Sequence, residues 1–365
     1  MASDNQIICF FNSCKAWGGG EKWHLEMAMR LHTKGYNVLV CAAPDSRLCQ
    51  RAKSAGIPVK TFRISNLSFL NPFLHLRLKR FFKALPIKHV LLNLPSDLKT
   101  AGFAAHRANI PDIVYRRGSA IPVKNSLINR FLFGKVVHRI IANSEETKRT
   151  ILQNNQRIIN AENIHIIYNG IDLERFDAQE HEPPENEENK LILGNLGRLE
   201  PQKNQLFLLD ILENIRRKGI PAVLHIGGAG RLEQELRTEI NRRNLTNYVH
   251  MPGFIDDVKS FMMQLDVFLL PSMWEGFGYV LIEAQACSKP IVAFDTSSNP
   301  EIVKHNNTGI LVETNNVEQF SDAIATLYNN PKKRLLMGRN GRTFVQQRFD
   351  ISQTTKKLIE FIEAI

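Results

Sequence analysis

The chain has 365 residues, 43% hydrophobic and 23% charged, with 21 glycines; this is too long for one compact core, suits two α/β domains, and is neither fibrous nor disordered. Its net charge of +11 is uneven, with 26 Lys and Arg against 11 Asp and Glu in residues 1–175 and 21 against 25 in the rest. That split suggests different partners for the two halves, and for the basic half nucleic acid, an anionic membrane surface or an acidic lipid-linked substrate.

The N-terminus has neither a basic leader nor a long apolar stretch, so Ile7–Phe11 reads as a first strand, not a signal peptide. No apolar run reaches the roughly 18 residues needed to span a bilayer. Further short apolar runs follow at Tyr36–Ala43, Pro58–Ile64, Lys88–Leu94, Asp112–Arg116, Arg139–Asn143 and Asn163–Tyr168. Amphipathic stretches lie between them; Lys22–Lys34, for example, places Leu25, Ala28 and Met29 on one face and stops at Gly35. This βα alternation predicts a parallel sheet covered by helices on both faces. Asn71–Leu85 reads as a helix with Leu74, Leu78, Phe81, Phe82 and Leu85 on one face and Arg77, Lys79, Arg80 and Lys83 around the rest, where Phe73 and Leu76 also fall. The second face suits anionic headgroups, though an ordinary surface helix with a wide apolar stripe reads the same way.

Phe176–Lys190 is almost free of apolar residues and contains two prolines, which makes it a linker. The alternation restarts at Leu191–Leu196, Ala222–Ile226, Tyr248–Met251, Val267–Leu270, Pro290–Phe294 and Gly309–Val312, and helical patterning continues from Val317 to the end. The expected organisation is therefore a first domain over 1–175, a linker over 176–190 and a second domain over 191–349. The cysteines, Cys9, Cys14, Cys41, Cys49 and Cys287, are scattered and odd in number, which fits reduced thiols in the cytoplasm.

Three loops carry candidate chemistry. Gly18-Gly19-Gly20-Glu21 lies between the first strand and the first helix, where glycines let backbone approach a ligand and helix amides favour an anion; a plain turn is the alternative. Arg198 and Lys203 follow the first strand of the second domain and can converge on a diphosphate, or be a solvated basic pair. After the buried strand ending at Leu270 comes Pro271-Ser272-Met273-Trp274-Glu275-Gly276-Phe277-Gly278, then a helix carrying Glu283. Its two carboxylates can bond hydroxyls at both ends of an elongated polar ligand while loop amides take phosphates.

Glu275 to Glu283 matches the E-x7-E signature of the retaining family-4 glycosyltransferases of the GT-B fold, which the chain resembles over nearly its whole length. Gly18–Glu21 looks like that family's GGxE loop, Ala142-Asn143-Ser144 its ANS strand end and Asn169-Gly170-Ile171-Asp172 its NGID. Gly197-Arg198-Leu199 with Lys203 looks like its GRL…K, and Asn299-Pro300-Glu301 like its xPE. The resemblance implies two Rossmann-like doubly wound domains facing a cleft, with a C-terminal helix (350–365) crossing back to the first. It implies that Arg198 and Lys203 hold the donor diphosphate, that Glu275 contacts the transferred sugar, and that Glu283 takes the ribose. Gly276, Phe277 and Gly278 would line the donor site, and Gly19 and Gly20 would close on the phosphates. The family uses no essential metal and no cofactor beyond the nucleotide sugar.

One departure stands out. Arg117 occupies the position of the family's usual cleft histidine, and an arginine is too basic to shuttle protons. With Arg116 it would bind an anionic acceptor, unless it points to solvent. The expected function is transfer of a sugar from a nucleoside diphosphate sugar to a glycan or glycolipid acceptor in bacterial envelope polysaccharide or lipopolysaccharide synthesis. The enzyme is expected in the cytoplasm, peripheral at the inner face of the membrane. The alternatives are another GT-B nucleotide-sugar enzyme, such as an epimerase, or a non-catalytic basic nucleic-acid-binding protein, for which no recognisable module is present.

Overall fold

The computed structural model describes residues 6–177 and 190–364. Of the expected linker only Phe176, Asp177 and Lys190 are among them; the remainder lies outside the described residues. The chain divides into two compact units, one running through Asn169 and resuming at Thr354, the other spanning Gly170–Gln353.

In the first unit seven strands form a sheet: β1 (Ile7–Asn12), β2 (Asn37–Ala42), β3 (Val59–Thr61), β4 (Ile87–Leu92), β5 (Asp112–Arg117), β6 (Arg139–Ala142) and β7 (Ile164–Ile166). Their order is β3-β2-β1-β4-β5-β6-β7, and every neighbouring pair is parallel. The second unit repeats the plan with β8 (Leu191–Leu196), β9 (Ala222–Gly227), β10 (Val249–Gly253), β11 (Val267–Leu270), β12 (Ile291–Phe294) and β13 (Gly309–Val312), ordered β10-β9-β8-β11-β12-β13. These pairs too are parallel. Helices cover both faces of such sheets, so strands are apolar throughout instead of alternating; the central β11 and β12 and the edge strand β13 are buried at every position. Each unit has its own core, with Phe11 stacked on Phe62 at 5.6 Å in the first and Phe207 edge-on to Phe294 at 5.1 Å in the second.

All thirteen apolar runs are strands. The expected Pro58–Ile64 pairs only over Val59–Thr61, because β3 is an edge with a single neighbour. The first helix starts earlier than the apolar pattern indicates, at Gly19, so the glycine cluster forms its first turn behind an extended Gly18.

Ile171 donates to the Phe349 carbonyl at 2.8 Å and accepts from the Ile351 amide at 3.0 Å, which ties the segment after Asn169 to the second unit. By packing, the division falls at Asn169/Gly170 and Gln353/Thr354. The last helix, Ile351–Glu363, packs on the first sheet. Leu358, Phe361 and Ile362 are buried, the Arg139 guanidinium lies 3.7 Å from the Phe361 ring, and the Tyr36 hydroxyl donates to Glu363 at 2.5 Å. Arg139 is itself anchored on Asp112 at 2.5 Å. Burial would raise the Asp112 pKa, but hydrogen bonds from His89 and Arg139 outweigh it and hold the carboxyl below its usual value.

In a doubly wound sheet ligands sit at the carboxyl ends of the strands where the order reverses. That point lies between β1 and β4 in the first unit and between β8 and β11 in the second.

Candidate active site

In the second unit the loops after β8 and β11 meet. The first leaves β8 at Gly197, whose amide donates to the Gly227 carbonyl at 3.0 Å, and the Leu199 amide donates to Ala229 at 3.1 Å. Leu199 is fully buried while Arg198 points outward, exposed, with its carbonyl held by the buried Gln205 at 3.0 Å. The neighbouring loop after β9 must be glycine. Gly228 has φ +133°, and a Cβ there would stand 1.8 Å from the Gly197 carbonyl oxygen. The run Gly227-Gly228-Ala229-Gly230 is the turn signal that marks this loop in the sequence.

Pro201–Lys203 forms a 3-10 turn that docks on the loop after β11. The Met273 amide donates to the Gln202 carbonyl at 2.9 Å, and Gln202 Nε2 donates to the Trp274 carbonyl at 2.6 Å. Lys203 Nζ then lies 2.5 Å from Glu275 Oε1, with the two side chains 13% and 7% exposed. Glu275 is fixed from its backbone as well: its amide donates to Ser297 Oγ at 3.2 Å, and its carbonyl accepts from Ser297 at 2.6 Å and Ser298 at 3.1 Å. Asn299, next in chain, anchors this turn to the Phe294 carbonyl at 3.0 Å. Phe277 is buried against Phe349 at 5.4 Å, Gly278 caps the Tyr279–Ala286 helix without a side-chain bond, and Glu283 is buried on that helix. The chain thus brings Lys203, Glu275 and the N-terminus of the Tyr279–Ala286 helix to the carboxyl ends of the strands. The electrostatics favour an anion beside a carboxylate able to take hydroxyls.

In the first unit the Gly19–Thr33 helix likewise starts at Gly18 without a side-chain cap. A Cβ on Gly20 would meet Asn93 Nδ2 at 2.6 Å, so the loop after β4 closes against this turn. Glu21 accepts from Asn12 at 3.0 Å. The Ser13 amide donates to Asp97 Oδ2 at 3.0 Å and its hydroxyl donates to Oδ1. Burial pushes the Asp97 carboxyl up to about 7 against those bonds from Ser13. His24 is fully buried, and desolvation, aided by Arg116, lowers its pKa and keeps it neutral.

Arg116 and Arg117 separate. Arg116 is 1% exposed, donates to Asn93 at 2.9 Å and Asn169 at 2.8 Å, and covers the Trp23 ring at 4.5 Å. Arg116 is thus buried among polar side chains, whereas Tyr115 before it is buried in the apolar core on the other side of the sheet. Arg117 is half-buried and donates to the Ile121 carbonyl. Asn93 and Asp97 escaped the sequence reading because isolated polar residues in a loop carry no pattern. Two motif segments have structural jobs. Ser144 caps the Glu145–Leu152 helix by accepting from Thr147 at 3.0 Å, and Asn169 holds Arg116. Among the described residues no group of three or more His, Cys, Asp or Glu is placed to hold a metal, and no helix is long and apolar enough to cross a membrane.

Residues 17–175 match the family model Glycosyltransferase Family 4, and residues 176–344 match Glycosyl transferases group 1. Glycosyltransferase-family domains thus match both parts of the chain, over residues 17–344 together, and the fold is GT-B. It is 27% identical over 233 residues to an Escherichia coli UDP-Gal:α-D-GlcNAc-diphosphoundecaprenol α-1,3-galactosyltransferase, covering 61% of this chain and 59% of that relative. It is 29% identical over 292 residues to a Campylobacter jejuni N-acetylgalactosamine-N,N'-diacetylbacillosaminyl-diphospho-undecaprenol 4-α-N-acetylgalactosaminyltransferase, covering 76% and 77% of the two chains. The solved structure of Anabaena Alr3699/HepE in complex with UDP and glucose shares the fold, with a TM-score of 0.86 at 22% identity and coverage of 98% and 99%.

Proposed function

We propose that the protein transfers a sugar, with retention of anomeric configuration, from a nucleoside diphosphate sugar to a lipid-linked or glycan acceptor of a bacterial envelope. The observation that carries this reading is the convergence of Lys203 and Glu275 at the switch point of the second sheet. On donor binding Lys203 and the exposed Arg198 take the diphosphate oxygens and offset the charge that grows as the sugar–phosphate bond breaks. Glu275 receives hydroxyls of the transferred sugar, Glu283 the ribose, and the amides behind Gly276, Phe277 and Gly278 complete the donor site. The acceptor hydroxyl attacks the face the leaving phosphate departs from, passing its proton to a phosphate oxygen, so no protein nucleophile is needed. The half-buried Arg117 takes an anionic group of the acceptor, and Arg116 positions Asn93 and Asn169 behind it.

The relatives named above act on diphosphoundecaprenol-linked sugars, which supports a lipid-linked acceptor here. The Pro72–Lys83 helix supports peripheral attachment at the cytoplasmic leaflet: Leu78 and Phe82 enter the core, while Phe73 is 82% and Leu76 46% exposed among Arg77, Lys79, Arg80 and Lys83. Incubation with a panel of UDP- and GDP-sugars should give slow nucleoside diphosphate release from at least one, undiminished by a metal chelator. Release from none would overturn the reading, and release that needs added metal would remove its cofactor-free part.

A further inference from the structure

From Ser46 to Ser144 the chain carries eighteen Lys and Arg and only two carboxylates, Asp97 and Asp112. Both are fully buried. Nearly a hundred residues of the first domain therefore show solvent no negative charge at neutral pH, which matches an extended anionic surface.

Within that stretch the Pro72–Lys83 helix has a neighbour of the same character. Ile121 is 48%, Leu127 82%, Ile128 45% and Phe131 43% exposed, interleaved with Lys124 and Arg130. This exposure is not fraying, because the segment is pinned by amides. Asn155 donates to the Val123 carbonyl at 2.8 Å, Asn125 to Asn154 at 2.9 Å, Asn129 to Lys124 at 2.7 Å, and Arg130 to Asn125 at 2.7 Å. A rigid backbone that holds large aliphatic side chains in water is an arrangement for contact.

The two elements share one face. The Phe131 ring packs on Phe103 at 5.9 Å, and Phe103 packs on His75 of the Pro72–Lys83 helix at 5.3 Å. Leu67 and Leu70, 70% and 67% exposed, extend the face before that helix. We infer that Ile121–Phe131 is a second membrane-inserting element, which with the Pro72–Lys83 helix seats the first domain on an anionic leaflet and sets Arg117 at the headgroups. Arg117 donates to the Ile121 carbonyl, so the arginine stands at the root of the inserting segment. One interfacial helix leaves a domain free to roll about its axis; two elements fix the orientation. Aliphatic side chains such as Leu70, Leu127 and Ile128 have no partner along a nucleic-acid backbone but fit the acyl boundary. The inference rests on the lipid-linked acceptor of the proposed function.

The test is sedimentation of the full chain with phosphatidylcholine vesicles, with and without phosphatidylglycerol. The parent should bind only the anionic vesicles and be released by high salt. The double substitution Leu127→Asp, Ile128→Asp should lower that partitioning about tenfold or more with an unchanged melting temperature, since both side chains are already exposed. Parent-like binding by this variant overturns the inference, as does tighter parent binding to duplex DNA than to anionic vesicles at the same salt. Independently of the double variant, Leu127→Trp should gain quenching by brominated lipid over the parent; no gain overturns the inference too. Nucleoside diphosphate release by the parent in vesicle-free buffer reports on the enzymatic reading separately, so release without the predicted vesicle behaviour removes the docking face alone.

Discussion

Lys203 Nζ stands 2.5 Å from Glu275 Oε1, joining the loop after β8 to the loop after β11 through a nearly buried charge pair. With side chains 13% and 7% exposed, each charge holds the other in place. In the proposed function a donor diphosphate replaces Glu275 as the anionic partner of Lys203, which frees Glu275 to accept sugar hydroxyls.

Glu275 and Glu283 should fail differently. Glu275→Ala removes the group facing the transferred sugar, so turnover should fall by orders of magnitude while nucleoside diphosphate affinity changes little. Glu283→Ala should weaken nucleotide binding by about 1–3 kcal/mol, the range for a lost hydrogen bond to a charged group. Calorimetric titration with nucleoside diphosphate, set beside turnover, separates the two; normal binding and turnover in both would refute the site assignment.

Arg198→Lys should not restore the parent rate. The guanidinium fork grips two phosphate oxygens at once, and an ammonium group cannot. Steady-state kinetics that show a fully active lysine variant would dismiss the fork.

Two glycine substitutions should separate in stability. At Gly228 a methyl group would meet backbone, 1.8 Å from the Gly197 oxygen, at φ +133°. Gly228→Ala should therefore cost at least about 2 kcal/mol and displace the Arg198 loop. At Gly20 it would meet only the Asn93 side chain, 2.6 Å away, which can swing. Gly20→Ala should cost under about 1 kcal/mol in stability yet lower kcat/KM as Asn93 leaves Arg116. Denaturant titrations giving equal losses would contradict this account of the two loops.

The buried Asp97 sets a pH dependence. Its carboxyl is raised from the ordinary 3.8 to about 7 by burial. The folded chain consequently holds this proton where the unfolded chain has released it, so the group's contribution is fully favourable below pH ~4 and is lost as pH rises towards ~7. Asn at this position can accept from the Ser13 amide and donate to its hydroxyl without ionising. The melting temperature of Asp97→Asn relative to the parent should thus rise between pH 5 and pH 8; a constant difference would show that Asp97 does not titrate there.

The strands were legible because a parallel sheet covered on both faces needs uninterrupted apolar runs, and β8, β11 and β13 have the bounds that their runs dictate. Lys203 and Glu275 were legible as candidates because each lies in the loop after such a strand, but nothing in either loop announces that they meet. The polar bed of the first domain was not. Ser13 and Asp97 stand 84 residues apart, and nothing local to either residue announces the other. Arg116 and Arg117 look like one basic pair in the sequence, and only the distant Asn93 and Asn169 single out the first as a buried group. Gly228 answers to a backbone contact with Gly197, which a string of residues does not display.

The most direct measurement is proton NMR of the sugar in the first turnovers with a nucleotide-sugar donor that the protein accepts, before mutarotation sets in. The transferred or hydrolysed sugar should appear with the anomeric configuration it had in the donor, and Glu275→Ala should abolish the signal. A product of opposite configuration, or one formed equally well by Glu275→Ala, would contradict the proposed function.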